Sequence, residues 1–252
     1  MVVLPDQPFP VSGGSLTFDF IRPDGDGPYP LVVFLHGGGW ISGDKSMYRD
    51  EAVWLSQKGF ACACPSYRLA PLYPFPTPVA DAQAFLKYVR DNAESLQIDP
   101  RNITVVGNSA GGHLALLLGL CPTDFGGGGT AELADKVVSI CGISDLCMPA
   151  APGFMISQSF IEQFMDCSFD GNEGKWKEAS PMSYVAHATG QFLLIHGTDD
   201  DVVPIDQSRT MYKSLTDRGV RSRLVELEGE MHSFTYPGWE RIRNEYLAFL
   251  GA

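Results

Sequence analysis

The sequence predicts an α/β fold, a mostly parallel central sheet with helices on both faces. Three observations predict it. Short apolar, β-rich runs alternate with longer stretches whose apolar residues recur every three or four positions. The run Leu31–Leu35 is apolar throughout and Ile103–Val106 is apolar but for Thr104, as strands buried on both sides are. The 252 residues, 44% of them hydrophobic, suit one large domain with a substantial core, so residues 1–252 are expected to form a single domain.

In chain order, strands are predicted at Leu16–Ile21, Leu31–His36, Phe60–Pro65, Ile103–Asn108, Val137–Ile143, Phe192–His196 and Arg221–Leu227. Between and after them, Met47–Gln57, Val79–Asn92, Ala110–Leu120, Ile205–Arg218 and Trp239–Leu250 carry helical spacing, as in Val79, Ala82, Phe85, Leu86 and Val89. These are the expected crossover helices. The segment Ser144–Ala188 breaks the rhythm with Pro149, Pro152 and Gly153. A helical stretch then follows at Met155–Met165, with Phe160, Ile161 and Phe164 available for an apolar face. Residues 144–188 are therefore expected to be an insertion capping the carboxyl ends of the strands, where large loops carry specificity. Gly126–Gly129 is a glycine-rich loop without the Lys-Ser/Thr ending of a phosphate loop.

With 18 Lys and Arg against 30 Asp and Glu, the net charge is −12, which excludes a basic nucleic-acid binder and repels anionic membrane surfaces. No apolar run reaches the roughly 18 residues of a membrane span. The amino terminus has no basic region and meets Pro5 and Asp6 early, so no secretory signal is read and a cytoplasmic location is expected. Six cysteines are too few for a disulfide scaffold. Cys62 and Cys64 fall in a predicted buried strand with no second Cys/His pair at zinc spacing, so free thiols and no metal are expected.

Gly107-Asn108-Ser109-Ala110-Gly111 is a G-x-S-x-G sequence between a predicted strand and a predicted helix. Such a turn forces its serine into a strained backbone, and side chains at the flanking positions would clash. Ser109 is the candidate nucleophile, seated at a helix amino terminus that favours developing negative charge. His36-Gly37-Gly38-Gly39-Trp40 follows a central strand and offers consecutive unobstructed N–H groups. Gly38 and Gly39, with the N–H of Ala110, form the candidate oxyanion hole. A serine hydroxyl needs a base within hydrogen-bond reach. Of five histidines, only His232 lies in the loop after the last predicted strand, from which it can fold back over the strand ends. Its orienting acid should come from Asp199, Asp200 or Asp201, and spacing alone does not choose among these neighbours. Trp40 and Phe234 flank the site and are candidate substrate contacts.

His36–Trp40, Tyr67-Arg68-Leu69-Ala70-Pro71 with Pro74-Phe75-Pro76, Gly107–Gly112 and His196–Pro204 together resemble the α/β-hydrolase superfamily, in its hormone-sensitive-lipase-like and bacterial carboxylesterase branch. The likeness runs from about Leu31 to the carboxyl terminus. In that family the acid stands third after the glycine of H-G-x-x-D-x-x-V-P, which implies Asp200, and the order Ser109, Asp200, His232 is the family's order. Two departures stand out: Leu72-Tyr73 where that branch carries Glu-His, and Gly-Asn-Ser where it carries Gly-Asp-Ser. With Ala179–Val185, they make the chain more similar to compact bacterial esterases of the acetyl-xylan and feruloyl kind. The resemblance implies a cofactor-free serine carboxylesterase acting by acyl-enzyme chemistry on small-molecule or oligosaccharide esters, short-chain, acetyl or feruloyl. Two alternatives remain: an amidase, arylformamidase or thioesterase using the same residues, and a non-catalytic small-ligand-binding protein. Oligomeric state is not legible in one chain.

Overall fold

The computed structural model describes residues 1–148 and 155–251, with side chains from 158 onward in the helix that begins at Met155. Among them, eight strands form one sheet: β1 (Val2–Val11), β2 (Gly14–Arg22), β3 (Tyr29–Leu35), β4 (Ala61–Pro65), β5 (Ile98–Asn108), β6 (Lys136–Ile140), β7 (Gln191–Gly197) and β8 (Ser222–Leu227), in the spatial order β1-β2-β4-β3-β5-β6-β7-β8. From β4 across to β8 every pairing is parallel, and only the β1-β2 and β2-β4 pairings are antiparallel. The predicted mostly parallel sheet is the observed one.

β1 is invisible to sequence patterning because Pro5, Pro8 and Pro10 cannot donate to a ladder. It survives as an edge strand, with a register shift between Leu4 and Gln7 where Asp6 turns left-handed at φ 53°. Phe9 anchors it. Only 1% exposed, that ring packs edge-on against Phe18 and Phe85 at centroid distances of 6.1 and 4.9 Å. Burial of such a ring contributes about 2–3 kcal/mol.

The helices are α1 (Arg49–Ser56), α2 (Thr77–Asp91), the single turn α3 (Ala93–Leu96), α4 (Ala110–Leu120), α5 (Met155–Met165), α6 (Glu173–Ala179), α7 (Asp206–Asp217) and α8 (Tyr236–Leu250). The stretch expected as one helix from Met47 is a 3₁₀ turn, Lys45–Tyr48, followed by α1, because the Asp44 carboxylate accepts the Ser46 N–H at 2.7 Å and starts the turn early. β6 stops at Ile140 rather than Ile143, since Cys141 turns left-handed at φ 43°. α4 is buried along all eleven residues, which explains its apolar sequence AGGHLALLLGL.

The core lies on both sides of the sheet. On one face α2, α4 and α7 bury Val79, Phe85, Leu114, Leu117 and Met211; on the other, α1 and α8 bury Leu55, Ile242 and Tyr246 against Val32, Val106 and Ile195. The insertion expected at 144–188 includes 149–154, which lie outside the described residues. Its described part holds α5, α6 and a 3₁₀ segment, Pro181–His187. α5 coincides with the predicted helix, and Phe164 on its apolar face is fully buried. The Gln207 side chain of α7 holds the insertion's root, accepting the N–H groups of Ser144 and Asp145 at 2.9 and 2.8 Å. Phe75 N–H donates to Phe164 O at 2.7 Å, tying α5 to the loop before α2. No helix among the described residues is long and apolar enough to cross a membrane.

Candidate active site

β5 runs directly into Ser109, whose φ and ψ of 53° and −120° lie in a region that a non-glycine residue rarely adopts, and α4 begins at the next residue. A Cβ at Gly107 would stand 2.2 Å from Gly111 O, and one at Gly111 would stand 2.1 Å from Leu35 O. The turn is therefore closed to side chains at both glycines. Ser109 N–H donates to Ile140 O at 2.9 Å, so the neighbouring strand β6 holds the strained residue, a conformation that costs on the order of 1–3 kcal/mol. Asn108, where the resemblance leads one to expect Asp, packs against Gly37 and accepts from the Tyr48 hydroxyl at 3.0 Å.

The glycine loop after β3 is left-handed at three successive residues, Gly38, Gly39 and Trp40, with φ of 113°, 61° and 60°. Gly38 O accepts the N–H groups of Ile41 and Ser42 at 3.1 and 3.0 Å, and a Cβ on Gly38 would meet Ser42 O at 2.3 Å. Among the described residues, none of the Gly38, Gly39 and Ala110 N–H groups is committed to another acceptor. His36 braces the loop: its Nδ1–H donates to Gly37 O at 2.8 Å, its ring stacks on Tyr67 at 4.2 Å, and the Tyr67 hydroxyl donates to His36 O at 2.7 Å. Burial lowers its pKa and keeps it neutral.

Asp200 and His232 are brought together. The imidazole Nδ1–H donates to Asp200 Oδ2 at 2.8 Å, while Oδ1 accepts the N–H groups of Val202 and Val203 at 2.9 and 2.7 Å. His196 Nε2 lies 3.2 Å from Oδ2, and the Ser208 hydroxyl donates to His196 Nδ1 at 2.7 Å. Asp199 and Asp201 are exposed, whereas Asp200 is buried. Burial opposes ionisation of Asp200, but the hydrogen bonds from His196 and His232 outweigh it and hold the carboxyl well below its ordinary range. Burial likewise opposes the charge on His232, but the hydrogen bond to Asp200 and the adjacent Cys141 thiol hold the imidazole above its ordinary pKa. No hydrogen bond joins Ser109 Oγ to His232 among the described residues; such contacts commonly tighten only when substrate is bound.

Cys141 is a site neighbour that sequence reasoning missed. Among the described residues, Cys141, Asp200 and His232 are the one group whose ligand atoms, all within 4.8 Å of one another, could hold a metal ion. The signal was available in principle: Cys141 directly follows β6, the strand between those that deliver Ser109 and Asp200. The Asp200 oxygens, however, already receive N–H donors from His232 and two backbone amides, with His196 Nε2, which donates to Val203 O at 3.0 Å, lying 3.2 Å from Oδ2, an arrangement suited to orienting His232.

Trp40 is 1% exposed, its indole N–H donating to His113 Nδ1 at 3.2 Å. His113 Nε2–H in turn donates to Ala179 O at 2.8 Å, and burial pushes its pKa down to about 4, so this histidine is a neutral strut. Phe234, 9% exposed, packs on Trp239 at 5.6 Å. His187 is exposed in the insertion.

The sheet order, the strained serine between strand and helix, and a histidine–aspartate pair after the last two strands define a protein of the α/β-hydrolase fold. Residues 18–215 match the BD-FAE family, and the chain belongs to that family. It is 31% identical over 217 residues to esterase LipC of Mycobacterium tuberculosis, covering 82% of this chain and 53% of LipC. It is 25% identical over 232 residues to the isoprenylcysteine alpha-carbonyl methylesterase ICME of Arabidopsis thaliana, covering 85% of this chain and 52% of that protein. The chain thus spans about half the length of these relatives. Among solved structures, the native thermophilic esterase Est2 of Thermogutta terrifontis superposes with a TM-score of 0.78 at 22% identity, covering 98% of this chain and 93% of that one. A truncated carbohydrate esterase from gut microbiota superposes with a TM-score of 0.83 at 21% identity, covering 100% and 97%. These likenesses concern the fold.

Proposed function

We propose that this chain is a serine carboxylic-ester hydrolase whose nucleophile is Ser109, whose base is His232 and whose orienting acid is Asp200. The observation that carries the reading is the 2.8 Å hydrogen bond from His232 Nδ1–H to buried Asp200, at the same end of the sheet as the strained Ser109. With its Nδ1 proton fixed on Asp200, His232 presents a basic Nε2. Ser109 Oγ attacks the ester carbonyl carbon and its proton passes to Nε2. The carbonyl oxygen becomes an oxyanion that accepts N–H groups of Gly38, Gly39 and Ala110, each such donor contributing on the order of 3 kcal/mol to lowering the barrier. The imidazolium protonates the departing alkoxy oxygen, leaving an acyl-Ser109. Water then attacks that ester, giving its proton to His232; as the acyl C–Oγ bond breaks, the imidazolium returns that proton to Ser109 Oγ and the carboxylic acid is released. No step draws on a metal or cofactor.

The names of the relatives support the ester class, and the substrates inferred are short-chain or carbohydrate-linked acetyl or feruloyl esters. The same reading treats residues 1–252 as one domain and 144–188 as its cap. The test is hydrolysis of p-nitrophenyl acetate, butyrate and octanoate, methyl ferulate and an acetylated xylo-oligosaccharide by wild type and Ser109→Ala, with fluorophosphonate labelling in parallel. Turnover and labelling confined to the wild type are expected. Labelling of Ser109 with silence on every ester would move the assignment to amides or thioesters, and the absence of both would refute it.

A further inference from the structure

Above the glycine loop lies an aromatic wall that the mechanism has not used. α5 sets Phe160 directly on Gly39: a Cβ at Gly39 would stand 2.9 Å from Phe160 Cγ and 3.2 Å from Cδ2. Four residues further on, on the same helical face, Phe164 stacks on the Trp40 indole at 4.5 Å with planes 16° apart. The wall is clamped from several elements. Trp40 is tied through His113 to Ala179 of α6, Phe75 N–H holds Phe164 O, and the Phe75 ring packs edge-on to Phe164 at 5.8 Å. Phe164 and Trp40 are fully buried; Phe160 alone is partly exposed, so it is the member of the wall that faces open space.

Sheet order and proton transfer together say which part of an ester meets it. Because His232 must protonate the departing oxygen, the alcohol portion lies on the side of His232, which follows β8, and of Asp200, which follows β7. The glycine loop follows β3, on the opposite side of β5 and Ser109. With the oxyanion in the hole and the leaving group toward His232, the remaining substituent, the acyl chain, is directed to the glycine-loop side. There Gly39 and Phe160 are in contact.

We propose that Phe160 is the specificity-determining residue of the acyl side, closing it to chains much longer than acetyl and to a feruloyl group, so that acetyl esters are the substrate class. This rests on the serine-hydrolase reading above and narrows it. The insertion thereby contributes to function through one ring placed on the oxyanion loop.

The experiment holds the leaving group constant and varies only the acyl chain: kcat/KM for p-nitrophenyl acetate, butyrate and hexanoate with wild type, Phe160→Ala and Phe160→Trp, alongside fluorophosphonate labelling of Ser109. Since one methylene in a tight apolar pocket changes kcat/KM by roughly 10-fold or more, the wild type should favour acetate over hexanoate by at least about tenfold. Phe160→Ala should raise the hexanoate-to-acetate ratio by about tenfold or more, and Phe160→Trp should lower butyrate relative to acetate. Wild-type acetate turnover and Ser109 labelling with ratios unchanged in both variants, or a wild type that prefers hexanoate, would overturn the role of Phe160 and leave the hydrolase reading intact. A wild type that neither turns over nor labels would overturn both.

Discussion

Replacing Asp200 with Asn changes one atom and should reverse the tautomer of His232. In the wild type, Oδ1 receives two backbone N–H groups, from Val202 and Val203 at 2.9 and 2.7 Å, and Oδ2 receives His232 Nδ1–H at 2.8 Å. An Asn amide has one oxygen to offer. The backbone donors cannot turn away, so the oxygen takes the Oδ1 position and the NH₂ faces the histidines. Donation from that NH₂ to His232 Nδ1 leaves the ring proton on Nε2, aimed at the hydroxyl it should deprotonate. Loss of the base tautomer at unchanged geometry lowers kcat by about 10⁴-fold, equivalent to roughly 5.5 kcal/mol of barrier. The assay is steady-state hydrolysis of p-nitrophenyl acetate with the Ser109 labelling rate measured beside it, and thermal melting to show that the variant is folded. A folded Asp200→Asn within about tenfold of wild type, or equal losses from Asp199→Asn or Asp201→Asn, would refute the reasoning.

Three further outcomes are expected. Because Asp200 holds the His232 imidazolium, whose pKa lies above its ordinary value of about 6.5, neutral base appears only at higher pH. The acid limb of kcat/KM should therefore have its midpoint above 6.5 and move downward in Asp200→Asn; a profile flat to pH 4 would contradict a histidine base. Gly38→Ala sets a Cβ 2.3 Å from Ser42 O at a backbone φ of 113°, so the loop must shift and kcat should fall by about 10²–10³-fold. Comparison of its kcat and KM with wild type checks this, and an unchanged kcat would remove Gly38 from the hole. Asp81, 1% exposed, accepts Arg68 Nε–H and N–H at 2.9 Å each and its terminal guanidinium N–H at 2.6 Å. Asp81→Ala leaves that guanidinium unpaired and should cost about 3 kcal/mol, seen by calorimetry as a fall in Tm of roughly 6–12 °C with little change in KM.

Much of the fold was written locally. The alternation of apolar runs with three- and four-residue spacing marks seven of the strands and most of the long helices, because burial on two faces of a sheet leaves few positions free to be polar. β1 escaped because three prolines are tolerable only at an edge, and being an edge is a property of the finished sheet. The early end of β6 depends on the left-handed Cys141, whose amide is held by Ile195 O on the neighbouring strand.

The sequence by itself determined the chemistry-bearing segments: glycines around Ser109 that no side chain could replace, a glycine loop free to present its amides, and a histidine in the loop after the last strand. Tertiary structure alone decided which atoms of those segments meet. Of three adjacent aspartates only Asp200 turns inward, because Val202 N–H, Val203 N–H and His196 meet its carboxylate there while Asp199 N–H is drawn to Glu230 O. Cys141 beside His232 and Phe160 on Gly39 come from segments far apart in the chain. Side-chain direction in a turn, and contact across a sheet or from an insertion, are set by packing among distant residues, which local spacing does not encode.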